Sequence, residues 1–289
     1  MKTLFAILFC LVSSLTVAAQ SNCVSTAKEV PPQLSAETRR DFEAKLHDAR
    51  GLYNPKSVDS IIWLGRRTAY LGRYKDAIKI YTEGIQQFPA DARLYRHRGH
   101  RFITLRCFDD AIADLEKASK LIKGRPDEIE PDGLPNARNL PTSTLQSNIW
   151  YHLGLAHYLK HDFKRALKAY REAEKVSKNA DMLVATTHWL YMTLRRLGRV
   201  QEAAKTVAAI KDDLDVIENG DYYKLIRFYN GKLDTEVRAS TVNGEIESDY
   251  PLTISGKFGP RRLRGTIGAG GRILNLSTVN GEIRLRKAT

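Results

Sequence analysis

The residues most able to do chemistry in this chain are histidines, arginines and tyrosines, and their spacing argues for binding, not catalysis. His157 and His161 stand four apart, a spacing that puts two imidazoles on one helix face and can hold a metal ion. No acid follows His157 as Glu follows the first histidine of the zinc-hydrolase pattern, and His161 falls at a turn between helices. His97 and His152 share one position of an internal repeat, which marks packing. Gly265-Thr266-Ile267-Gly268-Ala269-Gly270-Gly271 is glycine-rich, but it precedes a strand pattern and not a helix, so it lacks the context of a phosphate loop. Its glycines suit tight β corners. There is no Gly-x-Ser-x-Gly and no Cys-x-x-Cys. No catalytic residue, cofactor or metal is therefore expected, and the chain reads as a non-enzyme. Recognition chemistry remains. Projected from the repeat, Arg66, Tyr70, Arg93, Arg96, His100, Tyr151, Tyr158, His188 and Arg195 face one concave wall. Guanidinium groups grip carboxylates in two-pronged fashion, and tyrosine offers flat contact area at low entropy cost. Such a groove suits an acidic peptide or protein.

The elements that position these residues repeat along the chain. From Ile61, Gly65, Tyr74, Ala77, Tyr81 and Gly84, a step of 34 lands on Tyr95, Gly99, Phe108, Ala111, Leu115 and Ala118. A further step of 55 lands on Trp150, Gly154, Phe163, Ala166, Tyr170 and Ala173. Small residues recur where helices approach closely, and large ones recur as plugs, which is the grammar of stacked helix–turn–helix units. Helix pairs are expected near 58–71 and 74–87, 92–105 and 108–122, 145–160 and 163–177, and 182–197 and 200–211. A helix capped by Ser35 covers the first unit, and a last one near 220–230 covers the end.

These blocks resemble the tetratricopeptide repeat family over roughly residues 57–212, in Leu64, Gly65, Ala77, Tyr81, Gly84 and Pro89, in Tyr95, Gly99, Ala111, Leu115 and Ala118, and in Trp150, Leu153, Gly154, Ala166, Tyr170 and Ala173. A fourth unit is weaker, with Tyr191 where glycine is expected. The long loop and Ile149-Trp150-Tyr151-His152-Leu153-Gly154 resemble a bacterial exported subgroup of unassigned activity. The resemblance implies a mainly α protein, an α-solenoid of about four helix pairs that binds proteins. Relatives that clamp a peptide's C-terminal carboxylate use lysine and asparagine where this chain has Ile62 and Arg66, so that recognition is not implied.

Residues 1–19 read as a signal peptide: Lys2, the apolar run Leu4–Val12, and Val17-Ala18-Ala19 before the cut. An exported protein, periplasmic or secreted, is expected. Residues 20–34 read as a flexible tail carrying Cys23. With Cys107 at a helix–helix turn, two free thiols or intermolecular pairing is the expectation. The solenoid spans 35–231. Its insertion at 124–146 holds Pro126, Pro131, Pro135 and Pro141 among four acids, which forbids a continuous helix and suits a solvated or groove-covering loop.

From 232 to 289 the periodicity changes to that of strands. Ser240-Thr241-Val242-Asn243-Gly244-Glu245-Ile246 returns 37 residues later as Ser277-Thr278-Val279-Asn280-Gly281-Glu282-Ile283, a recurrence that suggests stacked β rungs, a β-solenoid-like tail. The segment resembles the end of an adhesin-type β-strand-repeat family of unknown function. The formal charge is +13, and from residue 250 onward eight Lys and Arg face one acid. Arg261, Arg262, Arg264, Arg284, Arg286 and Lys287 form a basic tail face suited to anionic lipid or envelope polymer. Nucleic acid is not expected, since only Tyr250 and Phe258 offer stacking there. A short sheet with an open edge also invites self-association.

Overall fold

In the computed structural model, residues 22–232 are described, together with strand residues 235–243, 246–248, 253–255, 261–267, 272–280 and 283–285. The expected signal segment, 1–19, lies outside the described residues. Among the described residues, eleven helices precede the strands: α1 Asn22–Thr26, α2 Ala36–Gly51, α3 Val58–Tyr70, α4 Tyr74–Gln87, α5 Ala92–Thr104, α6 Phe108–Leu121, α7 Leu145–Leu159, α8 Phe163–Val176, α9 Ala180–Arg196, α10 Val200–Ala208 and α11 Gly220–Tyr229. None of the described helices is long and apolar enough to cross a membrane.

The repeat grammar has a steric cause. A Cβ on Gly65 would lie 2.3 Å from the Tyr81 ring, one on Gly99 2.9 Å from Leu115, and one on Gly154 2.7 Å from Tyr170. In each pair α3–α4, α5–α6 and α7–α8, a large side chain of the second helix plugs the glycine gap of the first. Tyr81, Leu115 and Tyr170 are buried. The turn inside each pair needs one left-handed residue: Gly72, Arg106, His161 and Gly198 all have φ between 62° and 81°. These four stand at one repeat position. Arg106 and His161 carry a Cβ there, at a cost of roughly 1 kcal/mol each. Ser35, Ser57, Thr144 and Asn179 accept backbone N–H groups at helix starts, as caps do.

Helix α2 buries Phe42 and Leu46 against the first pair, with Phe42 5.8 Å from the Tyr70 ring, so the N-terminal end of the stack is covered. Residues 22–34 correct the expectation of free thiols. Cys23 is bonded to Cys107, Cα atoms 5.8 Å apart, and Cys107 is 2% exposed. The segment then runs across the pair turns: Glu29 accepts from the Lys75 N–H at 2.7 Å, and Pro31 lies under Gly72. Its contacts with the turn of the first pair bring the two sulfurs together.

The tail holds β1 Thr235–Asn243, β2 Ile246–Ser248, β3 Thr253–Ser255, β4 Arg261–Ile267, β5 Arg272–Asn280 and β6 Ile283–Leu285. Strand order is β3-β4-β1-β5, with a second pair β2-β6. The two copies of the seven-residue repeat pair with each other in parallel: Ser240 with Ser277, Thr241 with Thr278, Asn243 with Asn280 and Ile246 with Ile283. The 37-residue step is thus a rung spacing. Arg261, Arg262 and Arg264 lie in β4. Arg284 is exposed and 3.6 Å from Glu247, while Arg286 and Lys287 lie outside the described residues.

Candidate functional site: an interaction groove with an internal occupant

The side chains projected onto the concave wall come from the first helix of each pair: α3, α5, α7 and α9. Residues 125–144 lie across them. The strap begins at the start of α7, where Asp127 accepts from the Thr144 hydroxyl at 2.6 Å and the Gln146 N–H at 3.0 Å. A carboxylate suits a helix N-terminus. An isolated antiparallel bridge, Ile129 to Thr144, aligns the next residues.

Glu130 then enters the wall. One carboxylate oxygen is 2.9 Å from Arg96 Nη2 and 3.6 Å from His97 Nε2, and the other accepts from the Asn148 amide at 3.1 Å. Both partners of the Arg96–Glu130 pair are about nine-tenths buried. Arg66 donates to the Pro131 carbonyl at 2.6 Å, and Arg67 to the Gly133 carbonyl at 2.9 Å. Gly133 sits so close that a Cβ would fall 1.7 Å from the Tyr70 hydroxyl. Beyond it the strap reaches the segment before α11. Asn136 donates to Glu218 at 2.7 Å, Thr142 donates to the same carboxylate at 2.8 Å, and Arg138 grips Asp215 at 2.6 and 2.8 Å. Buried Asp181 holds that segment, accepting from the backbone N–H groups of Ile217, Glu218 and Asn219.

Positive charge in this part of the groove rests on arginine and not on histidine. Burial, then neighbouring Arg96, holds His97 well below the usual imidazole range. Burial, then Arg101, does the same to His100. His152 is pushed down to about 3 by burial, then by Arg96. The bonds agree with neutral rings: Arg96 lies 3.1 Å from His97 Nδ1, which can only accept from it, leaving the proton on Nε2 facing Glu130. His152 Nδ1 donates to the Asn148 carbonyl at 2.7 Å. Burial also raises the Asp132 carboxyl, with Glu218 adding to it.

The C-terminal part of the wall is aromatic. Tyr151 meets the Tyr222 hydroxyl at 3.3 Å, His188 stacks near Tyr222 and Tyr229, and the Tyr191 and Tyr229 rings lie 4.2 Å apart and parallel. Helix α11 therefore covers Tyr151 and His188. Tyr158 packs between Trp189 and Phe163, and Arg195 donates to Tyr191 at 3.0 Å. Arg93 sits at the rim in ion pairs with Asp91 and Asp59, which hold its guanidinium protonated, the Asp91 hydrogen bond foremost. So the strap gathers Arg66, Tyr70 and Arg96, α11 gathers Tyr151 and His188, and His100 lies between them, its ring 4.3 Å from His152.

Sequence reasoning missed Arg67 and Glu130 as groove residues. The 34-residue step relates Arg67 to Arg101, and Glu130 stood in the acid–proline run, so both had a signal. The histidine pair does not assemble: His157 is buried and His161 is exposed at its left-handed turn, stacked on Phe163. Among the described residues, the one group with metal-ligand geometry is Cys23, Cys107 and Asp110, and its sulfurs are spent in the disulfide.

A tetratricopeptide repeat family model matches residues 147–180, the span of the third pair. Among solved structures the chain is similar to one described as the crystal structure of MamA protein, at 17% identity and TM-score 0.45, covering 60% of this chain and 82% of that one. A second MamA crystal structure matches at 16% identity and TM-score 0.45, covering 61% and 92%. MamA 41-end from Desulfovibrio magneticus RS-1 matches at 15% and 0.45, covering 59% and 84%. No curated protein matches the chain. With the repeated glycine–plug pairs and the matched unit, the helical array is a tetratricopeptide-type α-solenoid.

Proposed function

We propose that this chain is a non-catalytic protein-interaction scaffold whose basic groove takes an acidic peptide or protein segment. The observation that carries the reading is the convergence of Arg66, Arg67 and Arg96 on one groove, each already gripping a carbonyl or a carboxylate. Guanidinium is the side chain suited to such planar recognition and keeps its charge where buried imidazoles lose theirs. The test is titration of labelled acidic and basic peptides of equal length into wild type and into Arg66→Glu with Arg67→Glu. Acidic peptides should bind in a salt-sensitive way and lose about tenfold in the double variant, the scale of a charge-assisted bond. Equal capture of acidic and basic peptides would contradict the reading.

We also propose that the protein works outside the reducing cytoplasm. The signal-like leader motivates this, and the Cys23–Cys107 disulfide supports it, since such bonds persist in oxidising compartments. Protein recovered from cells should resist a thiol reagent until reduced. Immediate labelling of both cysteines would count against export. A second reading gives the tail a role in attachment to anionic lipid or envelope polymer. Its support is the excess of eight basic residues over one acid from residue 250 onward. Deleting 235–289 should then abolish binding to anionic vesicles and leave acidic-peptide binding intact.

A further inference from the structure

The strap is folded inside out. Its large apolar side chains Ile129, Leu134 and Leu140 are 68%, 52% and 51% exposed, while Glu130 is buried. A segment held for its own burial would show the reverse. Inward, it offers the wall what any extended acidic peptide could offer. Those groups are one carboxylate, on Arg96 and Asn148, and two backbone carbonyls, on Arg66 and Arg67. The fit is incomplete: Arg96 Nε and Asp132 Oδ2 are desolvated with no hydrogen-bond partner. Unpaired buried polar groups weigh against the seated state. The far end is held by Glu218, which accepts from Asn136 and Thr142, and by a surface pair, Arg138 with Asp215, whose side chains are 50% and 73% exposed; such pairs hold weakly.

We propose that Glu128–Gly133 is a built-in stand-in for the groove's ligand. The partner is an extended acidic peptide. It places a carboxylate where Glu130 sits and two following carbonyls where Pro131 and Gly133 sit, and it binds by displacing the strap from the Asp215 end. Asp127 keeps the strap's root on α7. This rests on the scaffold reading above and adds the ligand's shape and the competition for the site. A tethered occupant acts at an effective concentration on the order of millimolar, so a free peptide binds poorly until the strap is loosened.

The experiment uses the full chain and a labelled synthetic peptide with the sequence of residues 128–136. Two variants loosen the strap: Gly133→Ala, whose Cβ meets Tyr70, and Asp215→Ala, which frees Arg138. Trypsin cleavage after Arg138 reports release, and circular dichroism reports the helices. If Gly133→Ala fails to fold, Asp215→Ala, at an exposed pair, carries the test. The expected result is binding at least about tenfold tighter to Gly133→Ala than to wild type and about threefold tighter to Asp215→Ala, the scale of a surface pair, lost again when the peptide carries Gln at the Glu130 position. Peptide binding no tighter in a variant whose strap is cut faster and whose helices are intact would overturn the proposal. A scrambled acidic peptide that binds all forms equally would overturn displacement and leave the scaffold reading standing. Absence of binding by either peptide to any form would overturn both.

Discussion

The two ends of the groove are closed in opposite ways. At the N-terminal end a loop covers charged groups: Glu130 on Arg96, and carbonyls on Arg66 and Arg67. At the C-terminal end a helix covers aromatic ones: α11 brings Tyr222 and Tyr229 onto Tyr151, His188 and Tyr191. The aromatic closure removes apolar surface from water, a gain not returned on opening. The charged closure trades bonds to water for bonds to protein, so its net worth is small whatever its length. On the proposed reading, the wall thus has a permanent half and an exchangeable half.

The sharpest way to break this contrast is at Ile226, the 1% exposed anchor of α11. Ile226→Ala should cost about 3 kcal/mol in urea unfolding, the usual cost of such a core truncation. A loss below about 1 kcal/mol would mean that α11 is as loose as the strap. Next comes Arg96→Met. Removing one partner of a pair this buried ordinarily costs about 3–5 kcal/mol, because the other charge is stranded. Here the strap can carry Glu130 out to water, so a loss of only about 1 kcal/mol is expected, with faster tryptic cleavage after Arg138. The full penalty would show that the strap does not leave.

Acid separates the ends more gently. Burial holds His188 down to about 4 and His152 down to about 3 in the folded chain. The unfolded chain protonates near pH 6.5, so it binds more protons below that and stability falls as pH drops from about 6.5 towards 4. The urea midpoint should decline over that window, and His188→Gln should remove part of the decline. A profile unchanged by the substitution would place the acid sensitivity wholly at the strap end. The smallest effect on stability is expected at Asp215→Ala, which should barely move the unfolding midpoint and show instead in faster cleavage at Arg138 and tighter peptide binding.

Much of the array was legible because its causes are local or periodic. Gly65, Gly99 and Gly154 mark a steric requirement that recurs at fixed steps, and Gly72 and Gly198 mark the left-handed turns. The tail's in-register pairing was legible for the same reason, since Ser240 and Ser277 stand one rung apart. The pairing of Cys23 with Cys107 was not, because it joins residues 84 apart and depends on a tail that docks across the turns. Nor was the seating of the strap. Four prolines say where a helix cannot form, but only the folded wall fixes which acid meets Arg96. The wall residues were a list of arginines, tyrosines and histidines in the sequence; the structure sets Arg66, Tyr70 and Arg96 under the strap, Tyr151 and His188 under α11, and Arg93, His100, Tyr158 and Arg195 under neither.

Hydrogen exchange on the full chain, with and without saturating acidic peptide, tests the central claim most directly. Amides with bonds in and at the root of the strap, Glu130 to the Ser143 carbonyl and Leu145 to the Glu128 carbonyl, are protected in the free protein on this account. Addition of peptide should strip protection from Glu130 in the strap and leave that of Leu145 at the root and of α11 unchanged. Strap amides that stay protected while peptide is bound would contradict an exchangeable occupant and place the ligand elsewhere on the molecule.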